Sequence, residues 1–143
     1  MADPIVVEET FTQAASVVWA ALTDSNEMRQ WYFEPMIDFQ PVVGFETEFN
    51  VSCEGRDFLH QWKVTEVIPE KKIAYRWRYQ GFEGDSVLSW ELLQTKSGTI
   101  VRLTHSGQES FRGDPLFSRE NGEAGWNYFV KQSLKSYLDS KEA

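Results

Sequence analysis

Two histidines and one cysteine are the side chains in this sequence best suited to proton transfer, nucleophilic attack or metal binding. His60 and His105 each lie in a segment of alternating apolar and polar residues, at positions that share a face with the apolar ones. Imidazole titrates near neutral pH, so both rings could orient a ligand in an otherwise apolar pocket. The alternative is that each is a buried histidine near a strand end, satisfied by backbone groups or water.

Cys53 could act as a nucleophile beside His60 if the two lie on adjacent strands. No third residue is evident that would orient the imidazole, so a buried, unreactive thiol is the simpler interpretation. The sequence has no Cys-x-x-Cys, His-Glu-x-x-His or Gly-x-Ser-x-Gly motif, and no glycine-rich phosphate loop follows a strand. A zinc site would need carboxylates as further ligands. The sequence therefore predicts no catalytic residue, metal or cofactor, and leans away from an enzyme.

Length, composition and charge narrow the class of protein. The chain has 143 residues, which is typical of one domain, so we expect a single domain over residues 1–143. Its net charge of −8 disfavours nucleic acid and anionic membrane surfaces as partners. No run of about 18 apolar residues is present, so we expect no membrane insertion. A single cysteine and the lack of an evident signal peptide favour the cytoplasm.

The elements that must position these residues begin with a strand and two short helices. Ile5 to Phe11 is β-branched and reads as the first strand. Apolar residues then recur at helical spacing from Ala15 to Leu22. Asp24 followed by Glu27 resembles a capping box that opens a second short helix, and Pro35 should end it.

From Phe39 to His105 the apolar residues change to a period of two, which predicts an antiparallel meander of strands with one buried face. Arg76 and Arg78 should face solvent on the outer side of this sheet. Aromatic residues make up 15% of the chain, and many of them fall on the predicted inner face. They would either line a pocket or pack as plain core.

The last segment carries an apolar stripe at helical spacing: Trp126, Phe129, Val130, Ser133, Tyr137 and Leu138. Leu134 widens this stripe. Ser133 is a small polar residue in its middle, which could leave room for a cavity floor or allow a tight contact with a tryptophan of the sheet. A sheet with one apolar face and a helix with one apolar stripe must bury them against each other, so we expect an α+β fold.

This order of elements resembles the START-like (SRPBCC) superfamily, and within it the family named for the activator of Hsp90 ATPase. The resemblance extends from about Ile5 to Leu138. It is carried by the segments 18–24, 88–91 with 98–105, and 125–126 with 134–138, together with Trp31. It implies the helix-grip fold, in which a curved antiparallel sheet wraps around a long C-terminal helix.

The resemblance also implies a function, namely that a small hydrophobic, lipid-like or aromatic molecule is held between the sheet and the C-terminal helix. The expected lining residues are Phe49, Val51, His60, Trp62, Tyr75, Trp77, Trp90, Leu103, His105, Trp126, Phe129, Val130 and Ser133. One alternative is a co-chaperone or stress-related adaptor that contacts an Hsp90-type chaperone. The eponymous activator uses a separate N-terminal domain for that contact, for which this chain leaves no room. The other alternative is a cyclase or hydrolase that uses the same pocket.

Overall fold

A curved six-stranded antiparallel sheet is the main element of the fold. The computed structural model describes residues 3–141. The strands are β1 (Ile5–Phe11), β2 (Glu46–Cys53), β3 (Arg56–Ile68), β4 (Lys72–Tyr79), β5 (Ser86–Thr95) and β6 (Gly98–Ser106). Their order in the sheet is β1-β6-β5-β4-β3-β2, so strands β2 to β6 form a meander and β1 pairs with the last strand. The predicted α+β helix-grip fold is confirmed.

The period-two pattern decides which face of the sheet is buried. In β4, Tyr75 and Trp77 are buried whereas Arg76 and Arg78 are exposed, as their alternation predicts. The register between β3 and β4 shifts at a bulge between Val64 and Glu66. Such a bulge bends the strand and increases its twist, which suits a sheet that curves around a helix.

Two short helices connect β1 to β2. They are α1 (Ala15–Thr23) and α2 (Ser25–Trp31). The Asp24 side chain caps α2, because its carboxylate accepts a hydrogen bond of 2.8 Å from the Asn26 amide. The predicted capping box is not reciprocal. Glu27 instead accepts hydrogen bonds from the Tyr137 hydroxyl at 2.8 Å and from the Lys141 ammonium at 2.6 Å.

The C-terminal helix runs over residues 119–141, but its middle is not α-helical. An α-helix, α3 (Arg119–Asn127), is followed by a π-helical segment (Tyr128–Leu134) and by a second α-helix, α4 (Lys135–Lys141). A π-helix closes i→i+5 hydrogen bonds and so takes more residues per turn than the 3.6 of an α-helix. The sequence predicted a regular α-helix throughout this segment. That prediction is wrong for residues 128–134, where the helix has a wider turn.

This wider turn changes which side chains face the sheet. The buried residues are Trp126, Val130, Leu134 and Leu138, which recur every four residues. Phe129, Ser133 and Tyr137, predicted for the same stripe, are only half-buried. Leu134 therefore occupies the central position that the α-helical spacing assigned to Ser133.

Within residues 3–141, no helix is both long and apolar enough to cross a membrane.

Candidate functional site

A cavity of about 410 Å³ lies at one end of the sheet, against α3. We call it the end cavity. It is bordered by β2, β3, β4 and β6, by α3 and by the segment that joins β6 to α3. Its lining residues are Phe33, Cys53, His60, Trp77, Tyr79, His105, Gln108, Phe111, Leu116, Phe117, Asn121, Gly122, Gly125, Trp126 and Phe129. Seven of these fifteen residues are Phe, Tyr or Trp, and the polar groups are neutral amides, imidazoles, indoles, a phenol and a thiol.

The structure divides the residues expected to bind a ligand into two groups. His60, Trp77, His105, Trp126 and Phe129 line the end cavity. The others do not: Phe49, Trp62, Tyr75, Trp90, Leu103 and Val130 are buried in the core, Val51 is half-buried at its edge, and Ser133 lies on the helix flank. That these residues bind a ligand stays a prediction.

Two aromatic residues of α2 and its C-terminal cap fill the space between the middle of the sheet and the helix. Trp31 and Tyr32 stack with ring centroids 4.6 Å apart, and Tyr32 meets Trp90 edge-on at 5.9 Å. The Tyr32 and Tyr75 hydroxyls are 2.9 Å apart, and the Trp90 indole N–H donates to Tyr75 at 3.2 Å. Burial raises the pKa of both tyrosines, so this region is a neutral, hydrogen-bonded core.

Ser133 takes part in this packed region and does not line the end cavity. Its hydroxyl donates a 2.5 Å hydrogen bond to the Trp31 carbonyl oxygen. The small polar side chain therefore anchors α2 to the helix. The residue that leaves space beside the end cavity is Gly125, since a Cβ atom placed there would have no neighbour within 4 Å.

His105 is fully hydrogen-bonded. Its Nδ1 accepts from the Trp126 indole N–H at 3.1 Å, so the proton of the neutral ring resides on Nε2. Nε2 then donates to the Ser86 hydroxyl at 2.9 Å, and Ser86 donates to the Trp77 carbonyl oxygen at 2.9 Å. Burial lowers the pKa of His105 to about 4. The interpretation of a satisfied, buried histidine therefore describes His105.

His60 has one nitrogen to spare. Its Nδ1 lies 2.9 Å from the Phe58 carbonyl oxygen, and because a carbonyl can only accept, Nδ1 must carry the proton. The lone pair on Nε2 is then a hydrogen-bond acceptor, and no donor within residues 3–141 reaches it. Burial lowers the pKa of His60 to about 4, so the ring is neutral at pH 7.

The family of the protein follows from comparison with known sequences. A family model described as "Activator of Hsp90 ATPase homolog 1-like protein" matches residues 13–139. The chain belongs to this family. The predicted resemblance is thereby confirmed. No curated protein sequence matches the chain.

Solved structures of similar proteins share the fold of this Hsp90-activator-like chain. Protein MLL2253 from Mesorhizobium loti is 28% identical, with 98% of this chain and 99% of that chain covered and a TM-score of 0.77. Protein CV1439 from Chromobacterium violaceum is 18% identical, with 97% and 99% covered and a TM-score of 0.81. The Aha1 dimer from Colwellia psychrerythraea is 21% identical, with 100% of both chains covered and a TM-score of 0.73.

In this member of the Hsp90-activator-like family, one wall of the end cavity comes from a segment that the sequence patterns did not reveal. We call residues 107–118 the cover segment. It holds two short 3₁₀ turns, Gln108–Ser110 and Pro115–Phe117, and contributes Gln108, Phe111, Leu116 and Phe117 to the lining. The sequence signal that could have revealed this wall is the presence of three large apolar residues, Phe111, Leu116 and Phe117, in an otherwise polar stretch.

Polar contacts hold the cover segment in place. The Asp114 carboxylate caps the second 3₁₀ turn through the Leu116 amide at 2.9 Å and pairs with Arg56 on β3, also at 2.9 Å. The Asp114 side chain is 5% exposed, so this ion pair is shielded from water on one side. The Ser110 hydroxyl donates to the Asp85 carbonyl oxygen at 2.8 Å.

Cys53 lies at the end of β2, where it pairs with Arg56, whereas His60 pairs with Phe49. The thiol is exposed and lines the end cavity, which corrects the interpretation of a buried cysteine. Cys53 and His60 do lie on adjacent strands, but several residues apart along the ladder. Within residues 3–141, no group of three or more His, Cys, Asp or Glu side chains is placed to hold a metal ion.

A second depression, of about 510 Å³, lies on the outer face of the sheet. Its charged residues carry both signs, and Arg76 is already held by Asp85 at 2.6 to 2.9 Å. The lining residues are Glu46, Thr47, Glu48, Gln61, Trp62, Lys63, Arg76 and Arg78. This surface is a solvated, mixed-charge face, unlike the aromatic end cavity.

Proposed function

We propose that this protein binds a small hydrophobic molecule in the end cavity. The observation that supports this function is the cavity itself. Its volume of about 410 Å³ falls in the usual size range of ligand pockets, and its lining is rich in aromatic side chains and carries some uncharged polar groups. Burying a flat apolar molecule against these rings would release water from both surfaces, which is the main driving force for such binding.

An amide and indole NMR titration of the purified protein tests this function. The ligands are fatty acids, sterols and planar aromatic compounds. We expect shifts to cluster on Trp77, Trp126 and the cover segment, while the indole signals of Trp62 and Trp90 in the packed core change less. Absence of shifts across all three ligand classes would exclude the proposal.

Filling the cavity from the helix should weaken ligand binding. Gly125→Leu adds an isobutyl group where a Cβ atom has no neighbour within 4 Å, so the new side chain occupies the ligand's space. Forcing the ligand and the new side chain into the same space should cost about 1–3 kcal/mol, as overpacking does, so we expect the affinity for the ligand to fall about tenfold or more. Calorimetric titration of the ligand found by NMR measures this change.

Two matched variants control for the effect of Gly125→Leu. Ala124→Leu adds a larger aliphatic side chain to the neighbouring, exposed position of the same helix, and Gly125→Ala adds only a methyl group. Both should fold, because leucine and alanine are good helix formers. Both should retain the affinity of the original protein, because position 124 is outside the cavity lining and a single methyl group at position 125 takes little of the cavity's volume. Equal affinities for Gly125→Leu and Ala124→Leu would show that the ligand binds elsewhere.

A second candidate function is that of a co-chaperone or stress-related adaptor for an Hsp90-type chaperone. It is favoured by the description of the matching family and by the similarity to Aha1 from Colwellia psychrerythraea over the full length of both chains. This function predicts that the protein stimulates the ATPase of a purified Hsp90-type chaperone. Stimulation that persists in Gly125→Leu would assign it to a surface distinct from the end cavity, and an unchanged ATPase rate would exclude it.

A cyclase or hydrolase in the same cavity has less support. Both nitrogens of His105 are engaged, which leaves Nε2 of His60 as the imidazole acceptor that could accept a proton. With a pKa of about 4, His60 would be a weak base at neutral pH.

We further propose that the chain works as one domain in the cytoplasm, which its single cysteine supports.

A further inference from the structure

We propose that the end cavity selects neutral planar molecules that carry a phenol-type hydroxyl, which His60 and Tyr79 hold between them. This inference rests on the proposed ligand binding and names the chemical class of ligand. It depends on three features of the cavity: an unused acceptor, unused donors beside it, and the lack of charged groups in the lining.

The unused acceptor is Nε2 of His60. The hydrogen bond between Nδ1 and the Phe58 carbonyl oxygen keeps the proton on Nδ1, so Nε2 presents only a lone pair. The His60 side chain is nearly inaccessible, with 6% of the residue exposed, yet it lines the cavity. Nε2 itself keeps some accessible surface, so a ligand in the cavity that donates an O–H could reach this atom and satisfy it.

The unused donors are the Tyr79 hydroxyl and the Trp77 indole N–H. Trp77 Nε1 is buried and has no hydrogen-bond partner within residues 3–141. Burial raises the pKa of Tyr79 to about 12, so the phenol stays protonated at pH 7. The neighbouring Trp77 N–H opposes this rise, but it does not reach hydrogen-bond geometry with the Tyr79 hydroxyl. Because Tyr79 lines the cavity, its hydroxyl can donate to a ligand oxygen.

The acceptor and the donors lie side by side because of the strand register. His60 on β3 is directly opposite Tyr79 on β4, and their ring centroids are 4.8 Å apart. The centroid of Trp77 is 5.4 Å from that of His60. One hydroxyl group can donate to a lone pair and accept from an N–H or O–H at the same time. This cluster therefore matches a single hydroxyl better than a group that only accepts.

The cavity offers no counter-ion for a charged ligand. Among the residues that line it within 3–141 there is no Lys, Arg, Asp or Glu, and both histidines are neutral at pH 7. Burying an unpaired carboxylate or ammonium would be very costly. The chain's net charge of −8 adds long-range repulsion of anions. The ligand should therefore be neutral.

The aromatic walls favour a flat ring system. Tyr79 and Phe117 stack with centroids 4.9 Å apart, and Phe111 meets Tyr79 edge-on at 4.9 Å. Offset stacking and edge-to-face contacts place further aromatic rings at similar distances. A phenol combines such a ring with the hydroxyl that the cluster requires, and at pH 7 it is un-ionised, as tyrosine is.

Four matched probes test the proposal by calorimetric titration at pH 7: 2-naphthol, 2-methoxynaphthalene, naphthalene and 2-naphthoate. A net hydrogen bond contributes about 0.5–1.5 kcal/mol, so 2-naphthol should bind about three- to tenfold more tightly than naphthalene. The methoxy compound accepts but does not donate, so it should bind less tightly than 2-naphthol. The anionic naphthoate should bind most weakly.

Two variants assign the two hydrogen bonds separately. His60→Phe removes the acceptor but keeps an aromatic ring, so 2-naphthol should lose its advantage over 2-methoxynaphthalene. Tyr79→Phe removes only a donor, so the affinities for 2-naphthol and 2-methoxynaphthalene should fall relative to that for naphthalene. Tyr128→Phe makes the same chemical change at an exposed position outside the cavity and should alter none of these ratios.

The outcomes separate this inference from the proposed function. Equal affinities for all neutral probes would retain the hydrophobic site and overturn the hydroxyl cluster. Tighter binding of naphthoate would overturn the requirement for a neutral ligand. If no probe binds and the NMR titration with lipids is also silent, the proposed function itself fails. Loss of hydroxyl preference in His60→Phe alone, with the fold intact, supports the assignment of the acceptor.

Discussion

Lowering the pH from 7 to 4.5 is expected to reduce the free energy of unfolding by about 4–5 kcal/mol through two buried histidines. Burial holds the pKa of both His60 and His105 at about 4 in the folded state. The unfolded chain restores the ordinary value of about 6.5 for each. The expected loss of about 4–5 kcal/mol is a large share of the roughly 5–15 kcal/mol by which a typical domain is stable.

The sign follows from proton binding. Between about pH 6.5 and pH 4 the unfolded state binds protons that the folded state does not, so stability rises with pH in this window. The full contribution of each histidine is present above pH 6.5 and is lost as the pH falls towards 4. A shift of one pKa unit corresponds to about 1.4 kcal/mol, which gives about 2 kcal/mol per histidine by pH 4.5.

Urea unfolding followed by tryptophan fluorescence at several pH values measures this dependence. His60→Phe removes one titrating group without leaving an unpaired imidazole, so the slope of unfolding free energy against pH near pH 5 should fall by about half. His105 is unsuitable for this substitution because its removal leaves the Trp126 N–H without an acceptor. A pH-independent unfolding free energy above pH 4.5 would contradict the burial of neutral imidazoles.

Gly98→Ala is expected to destabilise the protein by about 3–5 kcal/mol, with a Tm lower by roughly 10 °C or more. Gly98 opens β6 at a φ of +149°, and a Cβ atom there would lie 1.9 Å from the Phe11 carbonyl oxygen. That atom belongs to the backbone of β1 and cannot move aside without breaking the β1–β6 ladder, in which Phe11 is opposite Thr99. Thermal unfolding monitored by circular dichroism measures the change.

Gly55→Ala is the matched control for this prediction. Gly55 also has a positive φ, of +77°, but a Cβ atom there would meet nothing within 4 Å. It should therefore cost only the backbone strain of about 1 kcal/mol. If the two alanine variants were equally stable, the close approach of β6 to Phe11 would not be a determinant of stability.

The sequence patterns predicted the sheet well, because an alternation of apolar and polar residues fixes which side chains of a strand face the core when only one face of the sheet is buried. The strand from Ile5 to Phe11 was predicted with the bounds that the structure has. Arg76 and Arg78 face outward as their positions between Tyr75 and Trp77 require. Leu134 and Ser133 were assigned less well, because a period of 3.6 was applied to a segment that is π-helical.

The site was predicted only in part, since sequence spacing does not show which aromatic residues meet. Trp62, Tyr75 and Trp90 share a face of the sheet with Trp77, but Trp31 and Tyr32 from α2 pack over that region and fill it. The end cavity therefore opens farther along the strands, at His60 and Tyr79. The cover segment is irregular and has no periodic signal.

By itself, the sequence determined the class of fold, the order of its elements, the buried face of each strand and the family to which the chain belongs. The fold class, the order of elements and the buried faces depend on local periodicity, which the hydrophobic effect converts directly into burial. The family was indicated by the resemblance of motifs along the chain and shown by the matching family model. Only the tertiary structure decided where space remains, which histidine is satisfied and which keeps a lone pair. Such features depend on contacts between residues far apart in the chain, as between Trp126 and His105 or Ser133 and Trp31, and packing of that kind is not encoded in spacing.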